Sequence, residues 1–253
     1  MIKNILRGIK AYFGTFKLVR ELGLWKYFAV PMAISFVTAL LIGLLAWFLS
    51  GSIGSLISKI WVWEWGSSTF QTISDLLGGI FIIAIGLILY KHIILALSAP
   101  FMSPVSEKIE QHLSGTDHVV RETSNASQLW RGIKINTRNL GLELLSTIPL
   151  LILSFIPVLN IATGILIFLI QAYYAGFGNM DYTLERHFDY AESTKFVRNH
   201  SGIAIGNGIV FMAMLFIPVV GIIIVLPLSV TASTTETVRL LQQHPTHKKL
   251  ERT

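Results

Sequence analysis

The chain is predicted to be an all-α integral membrane protein, and three observations carry that expectation. Of its 253 residues 53% are hydrophobic and only 13% are Asp, Glu, Lys or Arg, about half the charged share of an ordinary soluble domain. Tyr27 to Leu49 is uncharged, and Leu76 to Pro100 is interrupted only by Lys91 and His92. At about 1.5 Å per residue each stretch is long enough to cross a hydrocarbon core of about 30 Å. Two longer uncharged stretches, Leu144–Met180 and Ser201–Thr235, are each broken near the middle by a similar prolyl sequence, Phe155-Ile156-Pro157-Val158 and Phe216-Ile217-Pro218-Val219. Neither can be one straight span, so each is expected to fold into a Pro-turned hairpin, full-spanning or half-spanning. Paired, interrupted apolar segments of this kind point to a transport pathway.

The elements follow in order. Residues 1–26 carry Ile2, Ile5, Leu6, Ile9, Tyr12, Phe13, Phe16 and Val19 at helical spacing, with Lys3, Arg7, Lys10 and Lys17 elsewhere around the wheel. This predicts a basic amphipathic helix lying in the membrane interface, where its cations meet anionic headgroups. Residues 27–50 and 76–100 are predicted transmembrane helices, and Trp61, Trp63 and Trp65 between them suit an interfacial aromatic belt. Residues 101–143 form a polar, amphipathic connector, 144–180 and 201–235 are the two hairpins, and 236–253 is a polar tail. No long polar linker divides these blocks, so residues 1–253 are expected to form one membrane domain.

The charges argue against a nucleic-acid partner. Six of the 20 basic residues precede the first span and five lie between Lys108 and Arg138, whereas Lys59 stands alone in the loop between the first two spans. By the positive-inside rule the N-terminus, 101–143, 181–200 and the C-terminus face the cytoplasm. The chain has no cysteine, which removes disulfides and thiolate chemistry, and no P-loop, HExxH, GxSxG or dinucleotide fingerprint. An enzyme, a cofactor and a metal site are therefore not expected. Glu107, Glu110, Asp181, Glu185 and Asp189 are membrane-surface carboxylates of the kind that pair with nearby Arg and Lys. Lys91 and His92 are ionisable groups in an apolar span, which marks them as functional candidates, although a lysine near a helix end can also snorkel. Gly202 and Gly206, four apart, offer a smooth face for close packing within the bundle.

The hairpin turns offer one way to hold an anion. Pro157 and Pro218 sit where a second arm begins, and the isoleucines before them cannot cap with side-chain oxygens. The amides that follow, near Asn160 and Gly221, would then seek partners beside the positive end of a helix dipole. Either an anion or water meets them, or Asn160 and neighbouring carbonyls do.

The run Leu97-Ser98-Ala99-Pro100-Phe101-Met102-Ser103-Pro104-Val105-Ser106-Glu107-Lys108-Ile109-Glu110 resembles a signature of the CysZ sulfate permease family, which is related to eukaryotic etoposide-induced membrane proteins. The resemblance continues at Asp181-Tyr182, Glu185 and His187 and in both FIP turns, covering Gly23 to Val238. It implies two long transmembrane helices, two partly penetrating hairpins and a homo-oligomer in the bacterial inner membrane. It further implies a multi-pass protein that passes sulfate for cysteine synthesis without ATP. In that family an anion site forms at a Gly-Leu/Ile-Arg-Arg segment at the start of the first long helix; here the matching run is Gly23-Leu24-Trp25-Lys26. Trp replaces one guanidinium fork and Lys, a point charge, replaces the other.

The expectation is thus an anion permease, with Gly23, Leu24 and Lys26 as the anion-binding entry and with sulfate and membrane lipid as partners. Glu107, Arg138 and His187 are expected to form a cytoplasmic network that gates the pore. Arg138 is the expected partner of Glu107, and His187 of Glu107 or Glu185. The alternative is a non-transporting membrane scaffold or interaction protein of the same superfamily.

Overall fold

A helix that buries one face against apolar neighbours and leaves the other to lipid needs no polar stripe, and this chain has several. The computed structural model describes residues 1–59, 67–115, 124–154, 156, 158–217 and 220–243, and among them every regular element is a helix. Trp61, Trp63, Trp65, Pro157 and Pro218 lie outside the described residues.

The N-terminal amphipathic segment forms α1 (Ile2–Lys10) and α2 (Thr15–Glu21), where periodicity alone predicts one helix. Gly14 at φ 96° separates them, a left-handed conformation that ends a helix and that glycine adopts without steric cost. α3 (Trp25–Ser58) and α4 (Ser67–Leu97) are the long apolar helices, 34 and 31 residues, packed side by side and antiparallel. Together with α7 (Asn160–Leu184) they are, among the described residues, the three helices long and apolar enough to cross a membrane. Leu40, Leu41, Leu44, Leu45, Trp47 and Phe48 on α3 are all exposed, the face that meets hydrocarbon.

α5 (Ala99–Ser114) is the first part of the connector. The second part does not stop where its charges stop. α6 (Asn125–Leu153) starts at Ser124, whose side chain caps Ser127 N–H at 3.2 Å, and runs unbroken through the boundary drawn at 143 into the first hairpin. Charge marks where a helix enters an apolar layer, whereas backbone hydrogen bonding decides where it ends. The same reason overturns the boundary at 236. α8 (Tyr190–Asn199) opens on an Asp189/Glu192 capping box and α9 (Ser201–Leu215) is the first arm of the second hairpin. α10 (Val220–Gln243) is the second arm, and it continues eight residues into the predicted tail with Glu236, Val238 and Leu240 buried.

Between helices in lipid, dispersion and close approach replace the hydrophobic effect as the driving force, so small residues set the contacts. α7 and α9 pack antiparallel through glycine. A Cβ on Gly176 would lie 1.9 Å from the Ala204 carbonyl oxygen, and one on Gly208 would lie 1.7 Å from that of Ala172. Gly202 and Gly206 serve packing within the bundle, since they receive Asn4 and Ile5 of α1. The apolar face of α1 is therefore partly spent on α9 rather than turned wholly to lipid. One core joins Val19, Leu24, Phe28, Tyr90, Ile94, Met102, Phe211 and Leu226; a second joins Ile135, Phe177, Met180, Leu184, Phe188 and Ile203.

Candidate functional site

Three polar clusters sit inside this apolar frame. The deepest lies between α4 and α6. Lys91 Nζ donates to Glu143 Oε1 at 2.6 Å, and the His92 ring nitrogen Nε2 meets Glu143 Oε2 at 3.1 Å. The three side chains are 0, 4 and 1% exposed. Lys91 Nζ also approaches the Gln171 carbonyl on α7 at 3.4 Å. Snorkelling is thus not the answer for Lys91, because an acid on the neighbouring helix holds it inside. Asn139, Glu143 and Thr147 fall four apart on one buried face of α6. His92 Nδ1, Asn139 Nδ2 and Thr147 Oγ1 are buried there with no hydrogen-bond partner among the described residues. Lys91 and His92 stand out in the sequence by their apolar surroundings. Glu143 does not, because it closes a charged connector, and only the continuity of α6 carries it opposite them.

The second cluster ties the connector to the foot of the first hairpin. The Arg186 guanidinium donates to Glu110 Oε2 at 2.7 Å and to Ser106 Oγ at 2.8 Å, while His187 Nε2 lies 2.5 Å from Glu110 Oε1. Burial works against ionisation of Glu110, but the His187 hydrogen bond and the Arg186 charge outweigh it and hold the carboxyl below its usual value. Ser103 donates to Glu185. Burial, opposed by that hydroxyl and reinforced by the Asp181 charge, pushes Glu185 up to about 7. Arg131 grips Asp181 with two bonds of 3.0 and 2.9 Å and also donates to Ser193 Oγ and the Phe188 carbonyl. Of the carboxylates expected to pair with basic residues, Glu110 and Asp181 do so, whereas Glu185 accepts from Ser103 and Asp189 caps α8.

The expected pairings inside this network are not the ones formed. Among the described residues Glu107 accepts from Gln111, at 3.4 Å, and Arg138 donates to Asn139 Oδ1 at 3.2 Å and stacks over the Phe177 and Tyr190 rings at 5.9 Å. Glu107 and Arg138 do not meet, and the partner of His187 is Glu110 rather than Glu107 or Glu185. On α5 Glu107 and Glu110 are three residues apart and share a side of the helix, and Glu110 is the one that reaches His187 of the first hairpin. Arg186, Arg131 and Glu110 are the network members that spacing alone does not single out.

The third cluster is the turn from α2 into α3. Gly23 has φ 60°, and its N–H donates to the Arg20 carbonyl at 3.2 Å, while Leu24 N–H donates to that of Val19 at 3.0 Å. Leu24 is wholly buried. These two amides are bonded to carbonyls of α2 at this turn. Trp25 and Lys26 open α3, at the positive end of a 34-residue helix that has no side-chain cap. Lys26 Nζ lies 5.3 Å from the Tyr27 ring centre and Lys108 Nζ of α5 lies 5.7 Å from the same ring. The tertiary fold so brings a second cation beside the one that the sequence singles out.

At the hairpin turns the carbonyls meet the amides. Ile156 accepts from Leu159 N–H at 2.9 Å and from Asn160 N–H at 3.1 Å, and Ile217 accepts from Gly221 N–H at 3.1 Å. Val158 at the first turn is 86% exposed, on the apolar exterior. For the Leu159, Asn160 and Gly221 amides the partner is a chain carbonyl.

Comparison with known proteins agrees with this frame. A sequence model for the family described as "Sulfate transporter CysZ/Etoposide-induced protein 2.4" matches residues 11–225. The chain is also 30% identical over 229 residues to a protein of Pseudomonas fluorescens (strain Pf0-1) named "Sulfate transporter CysZ", a match covering 86% of this chain and 87% of the relative.

Proposed function

The chain belongs to the sulfate transporter CysZ/etoposide-induced protein 2.4 family, and on that footing we propose that it moves sulfate across the bacterial inner membrane as a multi-pass homo-oligomer. The family is one of transporters rather than enzymes, and the protein is an all-α membrane protein. The sulfate so taken up would feed cysteine synthesis.

The observation that carries the reading is the buried Lys91, His92 and Glu143 cluster, continued along α6 by Asn139 and Thr147. Charges inside a membrane unit are costly, and the usual use that maintains them is passage of an ion or proton. A dianion cannot pass a bare carboxylate, and here Glu143 is neutralised by Lys91 and flanked by His92. The entry would be the α3 helix start, with the Trp25 and Lys26 amides and the Lys26 ammonium facing the anion. Lys108 from α5 would supply the second charge there.

Glu110, Arg186 and His187 would then set the position of the connector against the first hairpin and so the width of the cytoplasmic mouth. Glu107 and Arg138, both partly buried, would act on anions approaching that end rather than on each other. The test is uptake of radiolabelled sulfate into liposomes containing the purified chain. Uptake above protein-free liposomes, saturable in sulfate and unaffected by chloride, is expected. Equal uptake with and without protein overturns the reading.

A further inference from the structure

Apart from these clusters, one concave site is built from basic residues. α1 and the end of α10 enclose a cleft of about 390 Å³. Lys3, Arg7 and Lys10 line it from one face of α1, at helical intervals of four and three. Glu236 and Arg239 line it from α10. The Glu236 carboxylate is 2% exposed and is held by two guanidinium groups, Arg7 through Nε and Arg239 through Nη1, the latter at 2.6 Å. Four cations against one saturated carboxylate leave three positive charges around the cavity, and the described residues give Lys3 and Lys10 no acidic partner.

The cleft also has a direction. Leu6 and Phe13, which line its rim, are 49 and 81% exposed, and Ile2 and Phe16 beside them are 74 and 56% exposed. Cations on one side and bare aromatic and aliphatic side chains on the other are what a headgroup and its acyl chain require at a single place.

We propose that this cleft binds the phosphate of an anionic phospholipid, with Leu6 and Phe13 entering the acyl layer beside it. This goes beyond the transport reading, since neither the helix start at Lys26 nor the Glu143 cluster contributes to it. The Arg7–Glu236–Arg239 triplet fixes two guanidinium groups before the ligand arrives, so the site is saturable rather than a diffuse attraction. Lys3 and Lys10 add mobile ammonium donors on either side. Occupancy clamps α1 against α10 and, through Gly202 and Gly206, against α9.

The experiment titrates the full chain in an uncharged detergent with dihexanoyl phosphatidylglycerol, dihexanoyl phosphatidylcholine and sodium sulfate, reading bound ligand by calorimetry and native mass spectrometry. One saturable phosphatidylglycerol site is expected. Lys3→Gln with Lys10→Gln should weaken it about tenfold or more, since each lysine near an anionic headgroup contributes substantially. This pair leaves the Arg7 and Arg239 contacts to Glu236 in place. Lys17→Gln with Lys195→Gln, an equal charge change on exposed lysines outside the cleft, should alter binding less than about twofold. Equal binding of phosphatidylcholine, equal loss in both double variants, or displacement of the lipid by sulfate at equal concentration would each overturn the proposal. The last of these would assign the cleft to a soluble oxyanion.

Discussion

Lys91 and Glu143 form an ion pair of 2.6 Å between α4 and α6, with neither side chain more than 1% exposed. Their charges cancel in a region where one alone is hard to hold. Removing one member of such a pair costs about 3–5 kcal/mol, whereas replacing both by apolar groups of similar volume is close to neutral. Lys91→Met or Glu143→Leu alone should therefore sharply lower the melting temperature of the detergent-purified chain, and the double variant should recover most of the loss. If the pair serves passage as well as packing, the double variant should fold and yet lose sulfate uptake. A stable double variant with full uptake would reduce the cluster to a packing device.

The α3 start should bind oxyanions weakly, because an ammonium is a point charge where a guanidinium makes paired donors. Trp25→Arg with Lys26→Arg is expected to tighten sulfate binding by about tenfold in titration calorimetry, and Lys26→Ala to weaken it. Lys108→Ala should weaken it too, since its ammonium shares the Tyr27 ring with Lys26. No change in all three variants would place anion binding elsewhere in the chain.

His187→Ala removes one of the two groups that hold Glu110 ionised and leaves Arg186 on the other oxygen. The carboxyl should move up toward its ordinary value, and uptake and its pH dependence should change while folded yield stays near that of the parent. Uptake with an unaltered pH profile would leave His187 a surface residue without a gating part.

Glu185 and Glu110 should give stability opposite responses to pH in separate windows. Glu185 titrates at about 7 in the folded chain against 4.5 as the ordinary value, so between those pH values the folded state keeps a proton that the unfolded state releases. Stability should fall as pH rises through that window, by on the order of 3 kcal/mol, and level off above it. Glu110, held below 4.5, contributes stability that is present above that pH and lost only at lower pH. Thermal melts from pH 5 to 8 should show the first effect, and Glu185→Gln should flatten it. A parent protein whose melting temperature is constant across that range would contradict the assignment.

The second hairpin is expected to stop inside the membrane. α9 has 15 residues and rises only about 22 Å against a core of about 30 Å. In this cysteine-free chain Ile217→Cys, at the end of that arm, should resist an impermeant thiol reagent applied from the outer face. Rapid labelling from that face would show that the hairpin crosses.

Much of the architecture was legible in the chain because lipid imposes a one-dimensional rule. Backbone polar groups in hydrocarbon must be satisfied within the segment, so a long uncharged stretch reads as helix whatever its neighbours are. That rule yields α3, α4 and the two broken hairpins, and the signature around Glu107 and Glu110 together with the run at Asp181 marks the family. The same charge pattern places Lys91 and His92 inside a span. It also marks 1–26 as an amphipathic segment, although hydrophobic periodicity does not show the left-handed turn at Gly14 that divides it.

What the tertiary structure alone decided is which charges meet. Glu143 joins Lys91 because α6 continues past the last charge and packs beside α4, and Glu110 rather than Glu107 takes His187 because of where each stands along α5. Glu236 lies in the core rather than in a polar tail because Arg7, 229 residues away, closes over it. Composition and periodicity report how each residue relates to its own helix and to lipid. An ion pair in low dielectric depends instead on a distance of a few ångströms between separate helices, and close contacts such as Gly132 of α6 on Ala96 of α4, which no local pattern encodes, bring the helices of the Lys91–Glu143 pair together.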